Sequence, residues 1–322
     1  MTPVLSEKQR EAIKGLMAPE RLRFLEPLKD HCTFKTGGPA EVFAMPSVEE
    51  LKKLLPFCRK EGIPFTILGN GSNVLISDDG LPGVTVRIGK EMEDIRLMPV
   101  EEEDGAVRRL FAGAGALLSS IAHAAAEQSL KGMEFASGIP GSFGGAILMN
   151  AGAYGGEMKD VLESVTVLTA EGEEKTYPAE ELDLSYRHSR FSSYGEDGTP
   201  EEIIMGGVLR LERGEKEAIR EKMRELNHRR VEKQPLEYPS AGSTFKRPEG
   251  YFAGKLIEDA GLRGYTVGGA QVSEKHCGFV VNRGGATAAE IYRLMKDVQR
   301  IVKENQGVEL FPEVRLLGTF SV

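Results

Sequence analysis

Residues 138–156 read GIPGSFGGAILMNAGAYGG, with seven glycines and no charged residue. An ordered glycine inside a helix or strand costs about 0.5–1 kcal/mol relative to alanine, so such a cluster is expected where the backbone approaches a ligand or another strand closely. A second uncharged segment, Gly69-Asn70-Gly71-Ser72-Asn73, directly follows a predicted buried strand. The amides of two such loops could bind the diphosphate of a dinucleotide. The alternative is a set of tight turns in a β-rich domain.

The usual nucleotide-binding fingerprints are absent. Gly69-x-Gly71 and Gly113-x-Gly115 lack the third small residue of the Rossmann motif. Gly254-Lys255 has the wrong spacing and no Ser or Thr after the lysine, which excludes a Walker loop. Any nucleotide must therefore be held by another fold.

Composition limits the possible functions. The chain has 322 residues, a net charge of -8 and 28% charged residues, as is typical of a globular protein of two or three domains. The negative charge disfavours a nucleic-acid partner. No apolar run approaches the roughly 18 residues that cross a bilayer, so we expect no membrane association and a cytoplasmic location. The spacing of Cys32, Cys58, Cys277 and the five histidines predicts no disulfide framework and no metal site.

Helix starts are marked by capping signals. Ser6 with Gln9, Ser47 with Glu50, and Thr287 with Glu290 predict capping boxes, and Ser119 or Ser120 should cap a further helix. Pro56 should kink or shorten the second of the capped helices. Residues 214–233 predict a charged helix with a narrow apolar seam, and residues 253–260 predict a helix that Gly261 ends.

Short β patterns lie between these helices, at 64–68, 74–76, 84–88, 110–112, 165–168, 175–177, 203–211 and 278–282, with a last strand carrying Glu313 and Arg315. The acidic stretch 91–104 should be a solvated connection. The expected fold class is α+β. We predict three domains: residues 1–95 with the N-terminal helix, residues 96–213, and residues 214–322.

Several motifs, in order along the chain, resemble those of the UDP-N-acetylenolpyruvoylglucosamine reductase (MurB) family. The resemblance covers about residues 30–318. The segments similar to its flavin-binding motifs are Thr36-Gly37-Gly38-Pro39-Ala40, Gly69-Asn70-Gly71-Ser72-Asn73, Gly138-Ile139-Pro140-Gly141-Ser142 with Gly144-Gly145-Ala146, and Asn150-Ala151-Gly152-Ala153-Tyr154-Gly155. Those similar to its catalytic motifs are Tyr186-Arg187 with Ser189-Arg190-Phe191, Ala241-Gly242-Ser243-Thr244-Phe245, and Pro312-Glu313-Val314-Arg315.

The resemblance implies a two-part FAD-binding domain of the vanillyl-alcohol-oxidase type and a C-terminal α+β substrate-binding domain. It also implies a monomer that reduces the enolpyruvyl ether of UDP-N-acetylglucosamine to UDP-N-acetylmuramate, with FAD as cofactor and NADPH as co-substrate, for peptidoglycan synthesis. The cofactor-binding residues that it implies are Thr36, Gly37, Gly69, Asn70, Gly71, Ser72, Asn73, Ser137, Gly138, Ile139, Pro140, Gly141, Ser142, Gly144, Gly145, Ala146, Asn150, Ala151 and Gly152.

The catalytic residues implied in the same way are Arg187, Ser243 and Glu313. Ser243 would deliver a proton to C2 of the substrate, while Arg187 and Glu313 would polarise its carboxylate. A charged Glu313 would repel an enolate, so we expect it to be protonated in the complex or to act through a bridging group. The substrate-binding residues are expected to be Tyr186, Lys233, Arg247 and His276.

The sequence departs from one branch of the family in a single feature. A branch of the family inserts a tyrosine-bearing loop after the Tyr-Arg motif, whereas residues 191–203 are short here and carry only Tyr194. The chain is similar to the branch without that loop. Two other functions stay open: a flavoenzyme of the same fold that oxidises an alcohol or lactone, and a sugar-nucleotide sensor without turnover.

Overall fold

The computed structural model describes residues 3–99, 107–192 and 199–321. The N-terminal helix α1 (Glu7–Leu16) and the next helix α2 (Val48–Lys60) both begin at the predicted capping boxes. The expected shortening of α2 at Pro56 does not occur, because the helix continues to Lys60. Its buried face, which includes Leu54 and Leu55, packs into the core and offsets the hydrogen bond that proline removes.

The first unit contains a sheet that is mostly parallel. Its strands are β1 (Leu22–Pro27), β2 (Pro39–Ala44), β3 (Phe65–Leu68), β4 (Val74–Ile76) and β5 (Leu81–Arg87). Four of them form a sheet in the order β1-β2-β5-β3, in which β2 and β3 run parallel to β5. The loop 69–73 leaves the carboxyl end of β3, which is the edge where open α/β sheets bind ligands.

The second unit is an antiparallel sheet with two helices. Its elements are β6 (Ile95–Leu97), β7 (Val107–Gly113), α3 (Leu118–Glu127), β8 (Leu130–Lys131), α4 (Phe143–Leu148), β9 (Gly152–Ala153), β10 (Gly156–Glu157), β11 (Leu162–Leu168), β12 (Glu174–Pro178) and β13 (Ile203–Arg213). The main sheet has the order β12-β11-β13-β7-β6, and β8 pairs with β13. The helix α4 follows the first turn of the glycine-rich stretch.

The third unit begins after the charged helix α5 (Lys216–Lys233), which buries the narrow seam Ile219, Met223 and Leu226. Its elements are β14 (Ser240–Ser243), α6 (Ala253–Asp259), β15 (Thr266–Val267), β16 (Ala270–Val272), β17 (Phe279–Asn282), α7 (Ala288–Gln306) and β18 (Arg315–Leu317). The sheet has the order β14-β17-β16-β15. Helix α7 has the predicted Thr287–Glu290 capping box and ends at Gly307, with φ +70°.

The C-terminal strand returns to the first unit. β18 pairs with β4 in parallel, with Arg315 opposite Val74 and Leu317 opposite Ile76. One buried core likewise joins Phe43 and Leu75 of the first unit to Phe245 and Ile291 of the third. Residues just before β18 are therefore held beside the loop 69–73. The three predicted domain ranges stay a prediction.

Two further local predictions are wrong. The stretch 91–104 is not wholly irregular, because β6 lies in it and pairs with β7; residues 100–106 lie outside the described part. Neither Ser119 nor Ser120 caps α3, since the N-cap is Leu117 and no side chain caps the helix. The helix begins before both serines, and the N–H of its first residue, Leu118, donates to the carbonyl of Gly141 in the glycine-rich loop.

Among the described residues, no helix is both long and apolar enough to cross a bilayer. Cys32, Cys58 and Cys277 are buried and unpaired with one another. Within the same ranges, no cluster of three His, Cys, Asp or Glu side chains has the geometry of a metal site.

Candidate active site

Two glycine-rich loops meet at the carboxyl edge of the first sheet. The side-chain amide of Asn70 donates a 2.6 Å hydrogen bond to the carbonyl of Pro140. A Cβ at Gly69 would lie 2.5 Å from Oγ of Ser142, so these loops can approach only with glycine there. Gly71 has φ +63°, which favours glycine for a second reason.

A cleft of about 270 Å³ lies between these loops and the third unit, and we call it the loop cleft. Its walls combine backbone amides of the two loops with apolar side chains such as Ile67, Ile139 and Leu148. A cavity of about 90 Å³, lined by Phe191 and Ile203, adjoins it and shares Gly69 and Ser142 with it. Amide donors beside apolar walls suit a group with a diphosphate and flat rings. FAD fits this description.

Most of the predicted cofactor residues line the loop cleft. They are Gly69, Asn70, Gly71, Ser72, Asn73, Ile139, Gly141, Ser142, Gly145, Ala146, Ala151 and Gly152. Gly144 lines the adjoining 90 Å³ cavity. The structure does not bring Thr36, Gly37, Ser137, Gly138, Pro140 or Asn150 to the wall of the cleft.

Gly37 and Ser137, two of these six, have other contacts within the chain. Gly37 has φ +117°, and a Cβ there would lie 2.9 Å from Cβ of Ile76. It therefore lets the chain pack on β4. The hydroxyl of the neighbouring Thr36 is buried and has no hydrogen-bond partner among the described residues. Ser137 donates to the carbonyl of Glu134.

Asn150 is completely buried and ties together three segments. Its amide donates to Oε2 of Glu157 at 2.7 Å and to the carbonyl of Ser185 at 3.1 Å. Its Oδ1 accepts from the N–H of Lys159 at 2.9 Å. Since every polar group of this amide is satisfied by the chain, Asn150 supports the turn that follows Ser185.

That turn presents Tyr186 and Arg187. Ser185 and His188 exchange two backbone hydrogen bonds of 3.1 Å, which makes the two residues between them the centre of a tight turn. Arg187 has φ +54°, a conformation that is uncommon for a residue other than glycine. Such backbone strain persists where the surroundings fix the conformation, and it is concentrated at functional sites.

The structure brings Arg187, Ser243 and Glu313 together. Nε of Arg187 donates to Oε1 of Glu313 at 2.5 Å. Ser243 ends β14 after a register shift at Gly242, whose φ is +76°. Glu313 lies two residues before β18, and its N–H donates to the carbonyl of Thr244 at 2.9 Å. All three side chains line the loop cleft.

The carboxyl of Glu313 lies in a buried environment. Burial raises its pKa, while the positive charges of Arg187 and Lys246 oppose this shift. The two alternatives for Glu313 in the complex, a protonated carboxyl or action through a bridging group, stay predictions.

A second cavity of about 410 Å³ opens on the other side of these three residues, and we call it the outer cavity. It is lined by Tyr186, Arg247 and His276 of the predicted substrate set. Lys233 lines neither cavity, because it lies exposed at the end of α5. Further basic and aromatic side chains line the outer cavity: Phe252, Lys255, Arg263 and Lys275.

The side chains of the outer cavity differ in how they are paired. Arg263 pairs with Glu258, and Lys255 pairs with Asp259. Arg247 donates through Nε to the carbonyl of Tyr251 at 3.2 Å, and its guanidinium lies 3.9 Å from the ring centre of Phe252. It forms no ion pair with a carboxylate in the described ranges.

His276 contributes a neutral donor to the outer cavity. Burial lowers the pKa of its imidazole. Nδ1 accepts from the N–H of Gly278 at 3.1 Å, so the proton resides on Nε2.

Sequence reasoning missed three polar residues of the loop cleft: Arg230, Gln234 and Arg315. Arg315 is the last residue of the motif Pro312-Glu313-Val314-Arg315, but it was not among the predicted site residues. Arg230 and Gln234 lie one turn apart at the end of a helix that is charged on most sides, so nothing in the local pattern separates them from solvent-facing neighbours.

Fold and site together define an FAD-binding oxidoreductase whose third unit closes over the flavin cleft. Residues 39–177 match the family model of an FAD binding domain. Residues 234–317 match the model of the UDP-N-acetylenolpyruvoylglucosamine reductase C-terminal domain. The predicted α+β fold class and FAD are thereby confirmed.

The chain is 54% identical to the UDP-N-acetylenolpyruvoylglucosamine reductase of Agathobacter rectalis, over 92% of this chain and 93% of that protein. It is 50% identical to that of Caldanaerobacter subterraneus, over 99% of both. The crystal structure of the Thermus caldophilus enzyme matches with a TM-score of 0.74 and 35% identity, over 92% of this chain and 98% of that one. This chain belongs to the UDP-N-acetylenolpyruvoylglucosamine reductase (MurB) family.

Proposed function

We propose that this chain reduces the enolpyruvyl ether of UDP-N-acetylglucosamine to UDP-N-acetylmuramate, with NADPH as electron donor and FAD as cofactor. One observation carries the proposal. Arg187, Ser243 and Glu313 are the residues common to the walls of the loop cleft and the outer cavity. A substrate in the outer cavity and a flavin in the loop cleft would therefore meet at these side chains.

FAD would supply the acceptor and donor of hydride when bound in the loop cleft. The chain has two other tasks: to stabilise the negative charge that develops on the enolpyruvyl group, and to protonate C2. Arg187 is suited to the first, because its guanidinium stays charged and presents a planar fork to a carboxylate. Glu313 orients that fork through the 2.5 Å bond to Nε.

Ser243 is suited to the second task. Ser243 is exposed and lines both cavities, and it pairs with Phe279 of β17 after a register shift that separates it from Ser240. The carboxyl of Glu313, whose pKa is raised by burial, lines the same two cavities as this hydroxyl. We therefore assign proton delivery to Ser243.

The outer cavity would hold the sugar nucleotide. Arg247 has a free charge stacked on Phe252, and Lys275 forms no ion pair with a described carboxylate but donates to the carbonyl of Val231 at 2.7 Å. These two cations are the best placed for the diphosphate. Nε2–H of His276 and the hydroxyl of Tyr186 provide neutral donors for the sugar.

We place the enzyme in the cytoplasm as a monomer. Its three free cysteines suit a reducing compartment, and NADPH is an intracellular reductant. Tyr194 lies outside the described residues, so the predicted absence of a covering tyrosine loop stays a prediction. The oligomeric state is measured by light scattering of the purified chain.

Anaerobic spectroscopy of the purified protein tests the function. We expect a yellow protein that NADPH bleaches and that the enolpyruvyl substrate, added next, reoxidises with formation of UDP-N-acetylmuramate. Bleaching by an alcohol or lactone and indifference to NADPH would instead identify an oxidase of the same fold. A colourless protein that binds UDP-sugar without turnover would identify a sensor.

A further inference from the structure

The turn that carries Arg187 is bonded on both sides to the chain at the end of α4. On the amino side of the turn, the carbonyl of Ser185 accepts a 3.1 Å hydrogen bond from the side-chain amide of Asn150. On the carboxyl side, Oγ of Ser189 donates to the carbonyl of Leu148 at 2.8 Å. Asn150 and Ser189 are both completely buried. We call these two side chains the turn clamp.

Further hydrogen bonds hold each half of the turn clamp in place. The amide of Asn150 also donates to Oε2 of Glu157 and accepts from the N–H of Lys159, so its plane is fixed from three directions. On the other side, the N–H of Ser189 donates to Oγ of Ser192 at 3.0 Å. Oγ of Ser192 also donates, at 3.0 Å, to the carbonyl that Ser189 contacts. The clamp is therefore part of the rigid, buried interior rather than of a surface loop.

The backbone of Arg187 needs such support. Its φ of +54° is unfavourable for a residue with a Cβ, so the turn would relax if the contacts around it were removed. The hydrogen bond to Glu313 orients the side chain of Arg187, whereas the clamp fixes the backbone from which that side chain extends. Leu148, which accepts from one half of the clamp, lines the loop cleft together with Arg187. The clamp therefore fixes the position of the guanidinium relative to the wall of that cleft.

We propose that Asn150 and Ser189 are positioning residues for the reduction of the enolpyruvyl substrate, and that they act through Arg187. Neither side chain lines the loop cleft or the outer cavity, so neither is placed to touch the substrate. By fixing the backbone of Arg187, they hold its guanidinium where the substrate carboxylate becomes more negative in the transition state. A misplacement of about 1 Å can cost about 10²-fold in rate. The inference rests on the proposed function.

A double-mutant cycle tests whether the clamp acts through Arg187. Asn150→Ala and Ser189→Ala are each made alone and together with Arg187→Ala, and stopped-flow follows reoxidation of the reduced holoenzyme by the enolpyruvyl substrate. We expect each clamp variant alone to slow this step by about tenfold or more, but by less than about threefold once Arg187 is absent. Bleaching by NADPH should stay near the wild-type rate. Equal slowing in both backgrounds would overturn the proposal. Ser189→Ala removes a single atom, so it decides the question if Asn150→Ala does not fold.

Ser77→Ala is the matched control for Ser189→Ala. Ser77 is also buried, and its Oγ also donates to a main-chain carbonyl, that of Thr319, at 2.8 Å. We expect Ser77→Ala to lower stability but to keep the wild-type rate of both half-reactions, whereas Ser189→Ala should lower kcat and leave KM within about threefold. Equal slowing of the two variants would assign the loss to a weakened fold and overturn the proposal. A wild-type flavoprotein that the enolpyruvyl substrate does not reoxidise would instead refute the proposed function.

Discussion

We expect the Ser243→Ala variant to lose catalytic rate while keeping the stability of the wild type. In the described part of the chain this side chain forms no hydrogen bond, and it is exposed at the cavity junction. The free energy of unfolding of Ser243→Ala should therefore stay within about 0.5 kcal/mol of the wild type. A positioned acid contributes about 10²- to 10⁴-fold to a rate, which at 1.36 kcal/mol per tenfold is about 2.7 to 5.4 kcal/mol of activation free energy.

Only the second half-reaction, in which the enolpyruvyl substrate is reduced and protonated, should be slowed. In stopped-flow experiments, NADPH should bleach the flavin of Ser243→Ala at the wild-type rate, while reoxidation by the enolpyruvyl substrate should slow by about 10²-fold or more. Ser240→Ala, on the same strand but outside both cavities, is the control. Equal slowing of both half-reactions, or less than about tenfold in the second, would refute proton delivery by Ser243.

Three further results are expected. Gly141→Val should fold but stay colourless, because its Cβ has only ordinary contacts at 3.7 Å or more and the added side chain enters the cleft; full flavin content would contradict this. Arg187→Lys should keep FAD yet slow substrate reduction about 100-fold, since it loses Nε and the fork; rapid kinetics near wild type would argue against a carboxylate contact. Burial alone would raise the pKa of Glu50, but hydrogen bonds from backbone N–H groups and Arg21 lower it to about 2. The contribution of Glu50 is therefore complete above pH 4.5 and lost as the pH falls toward 2. Glu50→Gln should lower stability by about 3 kcal/mol at pH 7, with the difference vanishing in thermal melts near pH 2. A difference that does not change with pH would reject this account.

Hydrogen bonds connect the loop 69–73 to the segment that carries Glu313. The amide of Asn73 donates to the carbonyl of Glu313 at 3.1 Å, and the N–H of Arg315 donates to the carbonyl of Asn73 at 3.0 Å. On the other side, the carbonyl of Thr244 accepts from the N–H of Glu313. The loop 69–73 therefore fixes the position of Glu313. Through the neighbouring Thr244, it also fixes the position of Ser243. No local sequence pattern could show this link, because 240 positions separate its two ends.

Local signals predicted local structure well. The capping boxes at Ser6, Ser47 and Thr287 are formed, because each needs only residues within one turn. The predicted start of α3 is wrong because a long-range contact is involved: the helix begins at Leu118, whose N–H donates to the carbonyl of Gly141, more than 20 positions along the chain. The side-chain amide of Asn150 forms three hydrogen bonds within the chain, and its contact with the cofactor stays a prediction.

The amino-acid sequence alone predicted the capped helices, many of the strands, the α+β class and the two glycine-rich loops, and the family resemblance of its motifs implied which groups do the chemistry. It could do so because backbone propensity, capping and residue chemistry are properties of short segments. Tertiary structure decided which of those groups meet. Arg187, Ser243 and Glu313 share one junction, and Arg230 and Gln234 face the loop cleft, because β18 returns to β4 and α5 ends beside the cleft. Such meetings depend on packing between distant segments, which no single stretch of the chain encodes.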